Sequence, residues 1–223
     1  MNGARVAAQV LLKDLKLDLR TRDRLGHMGI FASLVVVLLG IALPLPTPET
    51  RSWLPVLLWV VLLFASLLGL ARSFQAETEE GAVAGLALVP CDRGWVFLGK
   101  AGANLVALLG LELWTGVLFS VFLGLSWGPA LPEALFAGLL GGIGLASVGT
   151  LLAMMTTSTR FREFLLPVLL FPLVLPVLVI ASRATGEALA GRPVPGVWWG
   201  ALALYDWVFI LIPYLTFDAL LED

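Results

Sequence analysis

Leu34-Val35-Val36-Val37-Leu38-Leu39, inside an apolar run from about 27 to 45, decides the fold. A membrane barrel strand alternates apolar and polar side chains over about ten residues, and these six positions do not alternate. Lipid offers the backbone no hydrogen-bond partner, so a continuous apolar run must satisfy its own amides as an α-helix. Five further stretches share this character, at about 53–72, 100–125, 130–155, 164–182 and 198–220. About 20 helical residues cross roughly 30 Å of hydrocarbon, and each stretch is near that length. The expected fold is all-α: a polytopic membrane protein with six transmembrane helices in one domain over 1–223.

Composition points the same way. Of 223 residues, 59% are hydrophobic and 13% charged, against about 45–50% and about 25% in soluble domains. Mean hydropathy is +0.96. Soluble enzymes, secreted disulfide scaffolds and nucleic-acid binders are thereby excluded, and a net charge of −2 supplies no basic face for a phosphate backbone. The single cysteine, Cys91, has no internal partner, and the single histidine, His27, builds no metal site by itself. The apolar run after the basic N-terminal segment is too long for a cleavable signal and is read as a retained span.

Arg5, Lys13, Lys16, Arg20, Arg22 and Arg24 precede span 1; Arg72, Arg93 and Lys100 flank the loop after span 2; Arg160 and Arg162 follow span 4. Of the 14 basic residues only Arg51, Arg183 and Arg192 fall on the other side. Cytoplasmic loops collect Lys and Arg, so both termini are expected in the cytoplasm. Residues 1–26 read as an amphipathic helix, with Ala8, Leu11, Leu12, Leu15 and Leu19 within about 100° of each other. Lys13, Lys16, Arg20 and Arg24 lie on one flank, Asp14 and Asp18 on the other. The segment is either an interfacial helix or a leader that only sets topology.

Residues 73–94 form the one sizeable cytoplasmic connection. In Glu77-Thr78-Glu79-Glu80-Gly81-Ala82-Val83-Ala84-Gly85-Leu86-Ala87-Leu88-Val89-Pro90 the acids fall in a first helical turn, where the helix dipole favours them. Ala82, Val83, Leu86 and Val89 line one face, and Pro90 ends the element. That face needs a partner protein, or it folds back on the membrane or bundle. In span 4, Gly138 and Gly142 form a small-xxx-small pair that lets helix backbones approach without side chains between them. In span 5, Pro172 and Pro176 remove the donors for the carbonyls of Val168 and Pro172, giving either a hinge or a static kink.

Glu112 in span 3 and Asp206 in span 6 lie near the bilayer midplane, where an ionised carboxylate costs about 2.5–3.5 kcal/mol or more unless paired or wetted. Each should avoid lipid, serving a substrate or proton path or sitting protonated against a neighbouring helix. Gly94 to Ala101 has phosphate-loop spacing but lacks the preceding strand, so Lys100 is read as a cation snorkelling at the mouth of span 3. His27, Met154 and Met155 are either ligands or interfacial side chains, and Trp198-Trp199 matches an aromatic belt. Ser147 and His27 fall in different spans, so no catalytic constellation emerges.

Several of these stretches together resemble one family. They are Leu11-Leu12-Lys13-Asp14-Leu15-Lys16-Leu17-Asp18-Leu19-Arg20, Glu79-Glu80-Gly81 with Leu86 and Pro90-Cys91-Asp92-Arg93, Gly99-Lys100, and Arg162-Glu163-Phe164-Leu165-Leu166-Pro167 running on to Pro172 and Pro176. The pattern is similar to the cytochrome c maturation protein B (CcmB) family, within the type-2 ATP-binding-cassette permeases, over nearly the whole chain. The resemblance implies a haem exporter permease subunit in the bacterial inner membrane that is not itself an enzyme. Its partners would be a CcmA-like ATPase that binds ATP, CcmC-like and CcmD-like membrane subunits, and a CcmE-like periplasmic haem chaperone. No cofactor is assigned to this chain, with haem as cargo. Glu79, Glu80, Gly81, Val83 and Leu86 would contact the ATPase. Six helices leave little room for haem, so two copies are expected, meeting through the thin face of span 4 or the acid-bearing spans. A permease for another lipid, drug or ion, a proton-coupled carrier and an assembly subunit are the alternatives.

Overall fold

A computed structural model describes residues 3–43, 47–73, 93–155 and 162–220. Glu79, Glu80, Gly81, Val83, Leu86 and Cys91 lie outside the described residues. Among the described residues every regular element is helical: α1 (Gly3–Thr21), α2 (Asp23–Ala42), α3 (Pro48–Ser73), α4 (Gly94–Leu123), a 3-10 turn at Gly128–Ala130, α5 (Leu131–Met155), α6 (Arg162–Leu189) and α7 (Gly196–Leu220). Helices α2 to α7 are the six long and apolar enough to cross a membrane.

The opening run shows why the bundle belongs in lipid. On α2, Val36 is fully buried while Leu34 and Leu38 are 66% and 64% exposed. Val117 and Val121 on α4 and Leu204 and Trp207 on α7 are likewise exposed. Water would hydrate this apolar surface at a large free-energy cost, whereas hydrocarbon does not.

Several boundaries differ from the sequence reading. The N-terminal helix stops at Thr21 rather than 26, because Arg22 adopts φ 58°, a left-handed conformation that breaks the chain direction. Arg24 therefore lies in the first turn of α2 instead of extending the basic flank of α1. Helix α4 starts at Gly94 and α6 runs to Leu189, both longer than their apolar cores suggested. Hydropathy marks the hydrocarbon-crossing part of a helix, not the polar turns that continue beyond it.

Helix α5 sits at the centre, packed against α3, α4, α6 and α7. Its glycines are spent on receiving side chains, not on bare backbone contact. A Cβ on Gly141 would collide with the Trp59 indole of α3, and one on Gly149 with Leu70 of the same helix. Gly138 and Gly142 face the Glu112 carboxyl of α4, whose oxygens lie 2.7 and 3.1 Å from the positions their Cβ atoms would take. A Cβ on Gly144 would lie 2.9 Å from Asp206 Oδ1 of α7. The expectation of backbones approaching with nothing between them is thus corrected at these positions: large and polar groups of three other helices fill the notches.

Candidate functional site

Both ends of the described chain meet at one end of the bundle. The Trp95 ring, in the first turn of α4, crowds Gly3 of α1 and packs edge-on against Tyr214 of α7 with centroids 5.8 Å apart. Above it α1 lies along α4, because Gly99 has no side chain to hold it off: a Cβ there would be 2.6 Å from the Ala7 carbonyl oxygen.

Helix α1 turns Val6, Val10, Asp14 and Asp18 inward at four-residue spacing, so its acid flank faces the bundle. Leu12 and Leu19 stay exposed on the outer side of α1. Asp14 Oδ2 lies 3.3 Å from Lys100 Nζ, and that lysine is only 1% exposed. Arg24, also buried, pairs with Asp18 and donates to Asn104 Oδ1 at 2.5 Å. Asn104 Nδ2 donates to Thr150 Oγ1 at 2.8 Å, whose hydroxyl donates to the Ala146 carbonyl at 2.6 Å. One polar chain therefore runs from α1 through α2 and α4 into α5. Burial pushes the Asp18 carboxyl above the usual carboxylate range, with Arg24 pulling in the opposite direction.

Lys100 is accordingly no snorkelling cation. It lies six residues inside α4, about 9 Å from that helix's start, and α1 covers it. The usable signal was charge complementarity. Asp14 and Asp18 on one flank of a helix matched two basic residues, Lys100 and Arg24, that the sequence reading assigned elsewhere.

Of the expected site residues, the structure brings Glu112 together with Gly138 and Gly142, and sets Asp206 apart against Gly144. Asp206 is 5% exposed, and among the described residues neither of its carboxyl oxygens accepts a hydrogen bond. A buried polar group without a partner costs about 1–3 kcal/mol. Asp206→Leu, similar in shape, is therefore expected to raise the melting temperature of the detergent-solubilised protein; a lowered value would show that the carboxyl has a stabilising partner.

Pro172 and Pro176 stand on the exposed face of an α6 that continues through both. The neighbouring Tyr205 hydroxyl donates to the Leu173 carbonyl at 2.7 Å, and its ring stacks on Phe209. This tethers α7 to the proline segment. His27 is exposed with a ring nitrogen against the Asp23 carbonyl, Met154 is buried and Met155 exposed. Trp199 packs edge-on against Phe136 at 5.0 Å. Among the described residues no three His, Cys, Asp or Glu side chains gather as a metal site would require.

A membrane bundle whose charged groups join helices at one end, and whose central helix receives the Glu112 and Asp206 carboxyls of two neighbouring helices in its glycine notches, belongs to the multi-pass integral membrane proteins. Comparison with known proteins narrows this class. Residues 5–221 match the family described as CcmB protein. Heme exporter protein B of Pseudomonas aeruginosa is 30% identical over 192 residues, 86% of this chain and 85% of that protein. Heme exporter protein B of Paracoccus denitrificans is 33% identical over 82% of this chain and 83% of its own length. The Rhodobacter capsulatus protein of the same name is 32% identical over the same shares. The chain belongs to the CcmB family.

Proposed function

We infer that this chain is the membrane permease subunit of a haem exporter complex acting in cytochrome c maturation. The family match across nearly the whole chain carries this reading, and the six membrane-crossing helices agree with it. It is a transport component. ATP hydrolysis belongs to a separate CcmA-like subunit; CcmC-like and CcmD-like proteins complete the membrane complex and a CcmE-like chaperone receives haem. Two copies act together in the bacterial inner membrane, with both termini in the cytoplasm, as the distribution of Lys and Arg favours.

The proposed working stroke starts in the connection between α3 and α4, where Glu79, Glu80, Gly81, Val83 and Leu86 dock on the ATPase. Displacement of the first turns of α4 is passed on by Lys100 and Asn104 to α1, α2 and α5. The proline segment of α6, held by Tyr205, is the compliant element that accommodates the shift. An ATPase moves this equilibrium only as far as it binds the two states differently.

Two measurements test the reading. Deletion is expected to abolish holo c-type cytochromes, seen by haem staining; retained cytochromes reject haem export. Changing Glu80 and Leu86 together to Arg is expected to abolish ATPase co-purification while the protein still inserts. Normal assembly of that variant rejects the docking assignment.

A further inference from the structure

The end of the bundle opposite the termini holds a cleft of about 710 Å³, within the roughly 300–1,000 Å³ typical of ligand sites. It is lined by Arg51, Arg183 and Arg192, all three of the basic residues that the charge pattern leaves on that side. They arrive from separate places: the first turn of α3, the end of α6, and the turn that follows it. We propose that this cleft binds the oxyanion head of an apolar molecule, a carboxylate or a phosphate, through Arg51 and Arg183.

The cleft exists because α6 continues to Leu189, raising Arg183 and Glu187 as one wall. That wall stands close to α3 at Gly186, where a Cβ would make ordinary van der Waals contact with the Pro55 ring at 3.6 Å. Leu54, Val56 and Trp198 supply an apolar side. Glu187 already holds Arg192, accepting from its Nη2 at 2.9 Å. Among the described residues Arg51 and Arg183 pair with no carboxylate, and both are exposed. Two guanidiniums line this concavity while its one carboxylate among the described residues, Glu187, is engaged by Arg192, so the cleft is left positive, and an oxyanion neutralises that through paired, charge-assisted hydrogen bonds. The apolar wall beside them accepts a hydrophobic body, so the fitted ligand is an amphiphile and not a free inorganic ion.

Two sources carry such a head group: the propionates of a porphyrin, which rest on the export reading, and a phospholipid of the surrounding leaflet, which does not. The test uses the full chain in nanodiscs of zwitterionic lipid, titrated with zinc protoporphyrin and with its dimethyl ester by fluorescence. The wild type is expected to favour the diacid by roughly tenfold or more, and Arg51→Gln with Arg183→Gln to remove that preference. Glu187→Gln frees Arg192 and is expected to tighten diacid binding severalfold. Phosphatidylglycerol that displaces the diacid from the wild type identifies lipid as the source; failure to displace it identifies the porphyrin carboxylates. Equal binding of diacid and ester by the wild type, or diacid binding unchanged in the double variant, overturns the proposal. If the double variant binds normally while deletion still abolishes c-type cytochromes, the cleft assignment fails and the export reading stands.

Discussion

Replacing Arg24 by Leu is expected to free α1 from the bundle. The guanidinium is 6% exposed and serves two acceptors at once, the Asp18 carboxylate and Asn104 Oδ1. Removing one partner of a buried ion pair costs about 3–5 kcal/mol, mostly because the remaining charge is left in a medium that solvates it poorly. Here the loss strands an amide oxygen as well. Two readouts follow: a lowered melting temperature in detergent, and new protease cleavage near the Thr21–Asp23 junction as α1 loses its anchor. Arg20→Leu serves as the control, since Arg20 is exposed and such changes stay within about 0.5 kcal/mol. Pairing Arg24→Leu with Asp18→Leu should recover much of the loss, because an apolar pair replaces a broken ionic one. An Arg24→Leu protein no weaker than the Arg20→Leu control would refute the polar chain as the tie between α1 and the bundle.

Gly141→Leu is expected to prevent a stable bundle from forming. The Trp59 ring occupies the space that a Cβ at 141 would need, and that ring is 2% exposed. Its Nε1 also donates to Thr185 Oγ1 of α6 at 3.1 Å, so displacing it opens contacts among α3, α5 and α6 together. Overpacking by itself costs about 1–3 kcal/mol or more. Evicting a buried indole adds a loss on the scale of Trp→Ala, about 3–5 kcal/mol. Gly110→Leu is the matched control, as nothing lies within 4 Å of a Cβ there and the helix gains propensity. The monodisperse fraction after solubilisation is the measurement. Recovery of Gly141→Leu by Trp59→Ala would confirm that the clash is with the indole; equal yields for Gly141→Leu and Gly110→Leu would refute the notch.

Much of the candidate site was legible in part. Glu112 and Asp206 stood out because charge inside hydrocarbon is costly and so has to be accommodated, and Asp14 and Asp18 because they share one flank of the N-terminal helical wheel. Their partners were hidden. Lys100 looked like a membrane-mouth cation because hydropathy places the start of the span near residue 100, whereas the helix starts at Gly94 and α1 folds over the lysine. Arg24 sat on the basic flank of a continuous helical wheel, and the wheel is invalid beyond Arg22, where one left-handed residue turns the chain. The glycines of α5 were visible as small, yet spacing along one helix cannot name the neighbour that fills each notch.

Composition and run length alone determined that this chain crosses a membrane as six helices, since lipid forbids unpaired backbone and each run matches the thickness of hydrocarbon. Motif order along the chain carried the family. Tertiary structure alone decided that acids of the first helix bury a lysine and an arginine, that Glu112 rests on Gly138 and Gly142, and that three distant arginines share one cleft. Ion pairs and packing notches depend on which helices become neighbours, and that choice is made by the combined shape of several helix surfaces rather than by the periodicity of any one.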